Sequence, residues 1–223
     1  MLSIVLAESA LELVPREIQK SPAVVSDSRR RGAAPGEILL DRSYHHSAML
    51  RLEDAEKRGR PDLVHVTLLS VTGAPLYLDG GVALYVHTCS DKVVEISPKT
   101  RIPKNYMRFR GLMEGALRDE PREGLVRAYS SSLRQLLRSV LAPGLVVGLS
   151  VQGRPATFEE VAEEVAAARQ PCVLIGGFPR GHFTGATLGL TDKLERIDPR
   201  PLEAHVVASR LVYEVEKLQR ANR

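Results

Sequence analysis

Between Lys99 and Arg110 the chain carries five cations, Lys99, Arg101, Lys104, Arg108 and Arg110, and no acid. Arginine grips phosphate oxygens through a planar fork, and several cations converging on one side suit a polyanion. Arg101, Lys104 and Arg108 stand three and four residues apart. If Lys104 to Arg108 is helical, these side chains line one face. Tyr106 and Phe109 lie among them, placed either to stack on a base or to pack in the core. A merely solvated face would usually interleave acids with the cations, and this one does not.

A second cluster is "KRGRPD", with Lys57, Arg58, Arg60 and Asp62. Asp62 is placed to hold Arg60, to accept from a base edge, or to cap the following apolar run as a helix. A third group is Asp41, Tyr44, His45 and His46. Read on a strand, the two histidines point to opposite faces, and no cysteine or carboxylate pair stands at ligand spacing. No metal site is expected, and no nucleophile elbow or Ser-His-Asp pattern is present.

The fourth feature is "PCVLIGGFPRGHF", from Pro171 to Phe183. An apolar strand runs into a glycine-rich loop. Gly176 and Gly181 have the separation of a phosphate-cradling loop, but His182 and Phe183 follow where that loop needs Lys and then Ser or Thr. The dinucleotide pattern G-x-G-x-x-G also fails, since Gly176 and Gly177 are adjacent. Two readings stay open: a tight turn packed in the fold, or a backbone pocket for a flat, neutral or cationic cofactor. The stiff stretch "LERIDPRPLEAH", with Pro199 and Pro201, could form a second wall. Peptide-lined walls suit an adenosine better than a triphosphate.

These groups must be positioned by the elements around them. "LSIVLAE" reads as a strand, and the Ser9–Glu12 spacing predicts a helix through "ALELV". Residues 26–37, with three consecutive arginines, read as a loop. "ILLDRSYHHSAM" reads as a short strand ending near Asp41, and "LEDAEKRGRPD" as a helix running into a turn. The apolar positions from Leu63 to Val71 fit helix or strand, and Pro61 favours a helix start. "VALYVHTCSDKVVEISP" predicts a hairpin about Ser90-Asp91. A short helix is expected near 133–140, a strand in "GLVVGLSVQG", and a helix after Thr157 with a capping box to Glu160. The last helix places Leu202, Val206, Val207, Leu211, Val212, Val215 and Leu218 on one face. The C-terminal half alternates strand and helix, which predicts a mostly parallel sheet covered by helices. Ligands bind such sheets beyond the carboxyl ends of strands, where "GGFPRG" lies.

Composition sets bounds on these readings. The 223 residues are 43% hydrophobic and 26% charged, with no Trp and 4% aromatics, so an aliphatic core is expected rather than disorder. The net charge of +4 is compatible with a polyanionic partner without requiring one. Cys89 and Cys172 lie in apolar runs and read as buried, reduced thiols of a cytosolic protein. Glu8 and Glu12 interrupt the first apolar run, which argues against a signal peptide, and no stretch is long enough to span a membrane.

Taken together, "LAESALELVPREI", "LLDRSYHHSAM", "RGRPDLVH", "VHTCSDKVVEISPKTRIPKNYMRFRGLM", "IGGFPRG" and "PLEAHVVASRL" resemble the SPOUT-class small-subunit ribosomal RNA pseudouridine-N1 methyltransferases. The resemblance covers nearly the whole chain. "SPKTRIPKNYMRF" and "RPD" are its most specific pieces, and "DRSYHH" looks archaeal.

The resemblance implies one α/β domain over residues 1–223. It would comprise a mostly parallel sheet flanked by helices, a β-hairpin-containing extension and a C-terminal trefoil knot. An RNA-binding insertion would occupy about 26–120 and the knotted, cofactor-binding part about 145–223. The implied cofactor is S-adenosylmethionine, contacted by Leu149, Gly176, Gly181, Ile197, Asp198, Pro199, Arg200, Pro201 and Leu202. The implied RNA contacts are Arg60, Asp62, Arg101, Lys104 and Arg108, with Asp62 the candidate general base or orienting group. Lys104 stands where some members have arginine, which keeps the charge and loses the fork. The implied partners are small-subunit rRNA and a second copy of the chain, with other assembly factors or ribosomal proteins beyond them. The implied setting is ribosome biogenesis, in the cytoplasm for an archaeal-like chain and in the nucleolus for eukaryotic members. A non-enzymatic rRNA assembly factor, or a related enzyme acting on another RNA, is the competing reading.

Overall fold

The computed structural model describes residues 1–98, 100–118 and 126–221. Lys99, the first cation of the basic run, lies outside the described residues. Seven strands form one sheet in the order β4-β3-β2-β1-β6-β5-β7. They are β1 Leu2–Ser9, β2 Val82–Thr88, β3 Lys92–Ile96, β4 Val126–Ser130, β5 Leu145–Pro155, β6 Pro171–Gly176 and β7 Lys193–Arg196. The five strands β2, β1, β6, β5 and β7 run parallel, and β3 and β4 are antiparallel additions at one edge. The expected hairpin is β2 and β3, turning at Ser90-Asp91.

Helices follow in chain order: α1 Pro22–Arg31, α2 Arg42–Met49, α3 Pro61–Thr72, α4 Pro75–Leu78, α5 Tyr106–Leu117, α6 Leu133–Gln135, α7 Phe158–Ala167, α8 Gly185–Leu188 and α9 Ala204–Ala221. The two-residue period of the strands sorts the core into two layers. Ile4, Leu6, Leu84, Val173 and Ile175 point to the face covered by α3, α5, α7 and α9. Val5, Ala7, Tyr85, Cys172 and Leu174 point to the other, with Leu133, Leu136 and Phe183. A third, smaller cluster (Val14, Ile18, Val24, Ile38, Leu40, Met49 and Leu52) supports the segment between β1 and α3.

Five expectations fail, most for a tertiary or capping reason. No helix follows Ser9. Ala10 donates to the Gly177 carbonyl and accepts from the Arg60 N–H, Leu13 bridges Leu39, and Glu12 is gripped by Arg58 instead of capping Ser9. The arginine-rich stretch is the last turn of α1, not a loop. Pro22 starts the helix at its first turn, Gly32 closes it, and cations near a helix C-terminus suit its dipole. "RSYHHSAM" is α2, capped by Asp41 accepting from the Ser43 N–H at 2.9 Å. "LEDAEK" forms only a single tight turn at Ala55–Lys57. Cys172 is buried as expected. Cys89 is exposed, because β2 ends one residue before it.

The helix over α3 is borne out, with Pro61 in its first turn. So is the Thr157–Glu160 capping box of α7. The short strand β7 and helix α8, between the glycine loop and α9, are additions that periodicity over four residues could not show.

Candidate functional site

The glycine loop leaves the end of β6 and walls a cavity of about 420 Å³. Leu149, Gly176, Gly181, Ile197, Asp198, Arg200, Pro201 and Leu202 all line it. Pro199, predicted with them, does not. Residues not singled out from the sequence also contribute, among them Ser150, Ile175, Phe178, His182, Phe183 and Val207. Phe178 and Phe183 meet edge to face at 5.8 Å. Their only sequence signal was two aromatics flanking a glycine loop in a chain poor in aromatics.

Two local devices hold the walls. Gly177 sits so close to β1 that a Cβ there would lie 2.1 Å from the Ser9 hydroxyl oxygen. Only glycine permits this approach. On the other wall, Asp198 accepts from the Arg200 N–H at 2.8 Å and from its guanidinium at 2.9 and 3.0 Å. Those hydrogen bonds from Arg200 hold the Asp198 carboxyl down to about 2. The turn through Pro199 is thereby closed on itself, which explains why Pro199 faces away from the cavity wall.

Arg60 and Asp62 form a fork-to-fork pair at the start of α3, with both contacts at 2.8 Å. Both carboxylate oxygens of Asp62 accept from Arg60, which fixes the orientation of the pair. The Arg60 guanidinium is held charged mainly by Asp62, and it also feels Glu203, next to Leu202 on the cavity wall. The Arg60 backbone is tied to the glycine loop, since its N–H donates to the Ala10 carbonyl at 3.1 Å and the Ala10 N–H donates to the Gly177 carbonyl at 2.8 Å.

The basic run divides in two. Helix α5 starts only at Tyr106, with Asn105 capping it through the Arg108 N–H at 3.1 Å. Arg101 and Lys104 thus lie in the extended approach, and the single helical face expected for the three cations does not form. Arg101, Lys104 and Arg108 are all exposed, and none has a carboxylate within salt-bridge distance among the described residues. Arg110 is a different kind of residue: it is fully buried, 3.5 Å from Asp27, with its guanidinium over the rings of Tyr44 and Tyr106.

Beneath this surface runs a polar network. Asp27 meets Arg110 and lies 3.4 Å from His45 Nε2. The Tyr106 hydroxyl donates to Asp41 at 2.6 Å, and burial together with that carboxylate pushes the phenol well up. Burial holds His45 below its ordinary range, so it is the neutral partner in this network. Glu114 takes the fork of Arg31 at 2.7 and 2.6 Å and the Leu39 N–H at 2.8 Å. Phe109 is buried and stacks on His65 at 4.3 Å. Both aromatics of the basic run are therefore anchors of the fold, not free stacking platforms. No cluster of three or more metal-ligating side chains occurs among the described residues.

A second cleft, of about 540 Å³, lies against the far side of the loop and is lined by charge. Several of its charges answer one another: Arg58 forks Glu12 at 2.7 Å twice, and His87 Nε2 lies 3.0 Å from Asp91. Glu8 accepts from the Thr184 N–H and hydroxyl, both at 2.8 Å, and from Lys57 at 3.1 Å. Burial alone would raise the Glu8 carboxyl, but the donors Thr187, Thr184 and Lys57 outweigh it and hold it below its ordinary range.

An apolar, peptide-walled cavity at the carboxyl ends of parallel strands, together with the exposed cations that lead into α5, defines an α/β protein equipped for a small ligand and for a polyanion. The chain belongs to the EMG1/NEP1 methyltransferase family, whose model it matches over residues 4–216. It is 38% identical over 222 residues to the "Ribosomal RNA small subunit methyltransferase Nep1" of Staphylothermus marinus, covering 97% of this chain and 96% of that protein. It is 47% identical over 184 residues to the protein of the same name from Pyrobaculum calidifontis, covering 81% of each. The crystal structure of Archaeoglobus fulgidus Nep1 bound to S-adenosylhomocysteine superposes with a TM-score of 0.86 at 34% identity, covering 98% of both chains. The mostly parallel α/β arrangement expected from the sequence is the fold of that structure. Among the described residues no helix is long and apolar enough to cross a membrane.

Proposed function

We propose that this protein is an S-adenosylmethionine-dependent methyltransferase acting on small-subunit rRNA, at N1 of a pseudouridine in a hairpin loop. The observation that carries the reading is the apolar cavity walled by the two loops, with the Arg60–Asp62 pair joined to its glycine loop through Ala10. The residues fit the cofactor: a volume of about 420 Å³ lies within the ordinary range for a small-molecule pocket, roughly 300–1,000 Å³. Leu149, Ile197 and Leu202 offer apolar contact, and the peptide groups around Gly176 and Gly181 offer polar edges. Asp198, Arg200 and Pro201 complete the wall, with Pro199 shaping the turn behind it.

When bound, the cofactor supplies a methyl group on a sulfonium, already a strong electrophile. The chain's task is therefore alignment of the acceptor. Arg101, Lys104 and Arg108 hold phosphates of the loop and its stem. Arg60 and Asp62 face the flipped base, where a carboxylate can accept from a ring N–H and a guanidinium can donate to a carbonyl. Opening of that pair on base entry would free Asp62 to take the N1 proton.

A homodimer, a C-terminal trefoil knot formed where residues 176–183 and 197–203 meet, and a cytoplasmic site of action complete the reading, as the resemblance implies. The RNA-binding insertion at about 26–120 and the cofactor part at about 145–223 are its two working regions. The test is incubation with labelled cofactor and paired stem-loops that carry pseudouridine or uridine at one position. Transfer to the pseudouridine stem-loop alone is expected. Transfer to uridine or to another base would overturn the specificity. Absence of cofactor binding in calorimetry would favour an assembly factor without catalysis.

A further inference from the structure

We propose that Lys57 is a positioning residue that couples RNA engagement at Arg60 and Asp62 to the cofactor loop. The inference rests on the function proposed above and adds a device to it.

Lys57 ends the tight turn before the Arg60–Asp62 pair, yet its side chain reaches away into the glycine loop. Its ammonium has three donors and meets three acceptors. It donates to the Glu8 carboxylate at 3.1 Å and to the His182 carbonyl, and it lies 4.7 Å from the centre of the Phe178 ring. Phe178 and His182 belong to the cavity wall. Lys57 also packs against the Gly181 backbone, where a Cβ would lie 3.0 Å from its Cε. A single cation thus clamps both limbs of the loop, and Glu8 anchors the far end through Thr184.

The connection from Lys57 to Arg60 has no slack. The Arg58 guanidinium is held by Glu12 and the Gly59 carbonyl by the Arg42 N–H, while the Arg60 N–H donates to Ala10. Ala10 in turn donates to Gly177, the second glycine of the loop. Two routes, one through Lys57 and one through Ala10, therefore join the RNA-facing pair to the cofactor loop. Only the Lys57 route depends on a side chain and can be cut by substitution. A displacement at Arg60 on base entry moves the clamp, and a filled cavity fixes the clamp for the base. Linkage makes the effect reciprocal.

The experiment titrates S-adenosylhomocysteine into the full chain by calorimetry, alone and saturated with a pseudouridine stem-loop. In the wild type, RNA should tighten cofactor binding about 5-fold or more, the lower end of ordinary coupling between sites. Lys57→Met should lower that ratio to whatever the Ala10 route alone carries, while its affinity for RNA alone stays at the wild-type value. Lys57→Arg, which keeps the cation, should restore much of it. A general loss of stability would lower both affinities and would not be rescued in this way. Should Lys57→Met fail to fold, Glu8→Gln keeps the shape, removes the charge partner of Lys57, and should reduce the ratio. Wild-type coupling in the folded variant, or no coupling in a wild type that binds the cofactor, would overturn the proposal. A wild type that does not bind S-adenosylhomocysteine would overturn the underlying function and this coupling with it.

Discussion

Two clefts lie on opposite sides of one loop, and they are built in opposite ways. The cavity walled by Gly176, Gly181 and residues 197–202 is apolar and edged by peptide groups. The second cleft is the larger of the two, at about 540 Å³, and several of its charged residues are paired among themselves, Arg58 with Glu12, Lys57 with Glu8 and His87 with Asp91. Volume alone would favour the second cleft as a binding site. Chemistry favours the first, because a group already holding its partner gains little from a ligand. The charged cleft is better understood as the mounting of the loop, and the apolar one as its working face.

This contrast is open to direct tests. Glu12→Ala would leave the largely buried Arg58 without its partner, so a loss of about 3 kcal/mol is expected. Chemical denaturation measures it. Preserved stability would mean that the second cleft is not the mounting. Ile197→Trp fills the apolar cavity and should weaken S-adenosylhomocysteine binding about 100-fold, near 2.7 kcal/mol, with stability little changed. Calorimetry checks this, and unchanged affinity would move the cofactor elsewhere. Arg101→Ala and Arg108→Ala should weaken RNA binding and flatten its salt dependence by about one unit of slope each, as filter binding over a salt series would show. Equal loss of cofactor affinity would make these arginines structural.

The smallest expected effect concerns Glu8. Its carboxyl is held below the ordinary carboxylate range in the folded chain by the donors Thr187, Thr184 and Lys57, which outweigh burial. A depressed folded value adds stability above the unfolded value and loses it as pH falls through the folded one. The stability advantage of the wild type over Glu8→Gln should therefore be flat above about pH 5 and vanish on acidification below the 4.5 region. Melting temperatures across that range decide it, and a pH-independent difference would remove Glu8's charge from the account.

Much of the site was legible because its residues are local in sequence. The strand-to-loop break at Gly176, the stiff run 197–202, the cap at Thr157 and the Arg60-Pro61-Asp62 pair each depend on neighbours within a few positions. The errors came where distant partners override local preference. Ser9 and Glu12 have a capping-box spacing, but the Gly177 and Arg60 backbones claim Ala10, and Arg58 claims Glu12. Arg110 reads like its neighbours in the basic run, but Asp27, 83 residues away, takes it into the interior. Glu8 read only as an interruption of an apolar strand, since nothing nearby shows that Thr184 and Lys57 will meet it.

By itself the sequence determined the alternation of strands and helices, the absence of a phosphate-type loop, the cationic run, and a likeness to one family. Those are matters of composition, period and spacing, which act over one or two turns of chain. Only the tertiary structure decided which cations stay free, which cleft holds paired charges of its own, and that Lys57 meets Glu8 and the glycine loop after β6. Those outcomes depend on groups separated by as many as 176 positions, and a hydrogen bond or an ion pair exists only where folding brings its two ends within a few ångströms.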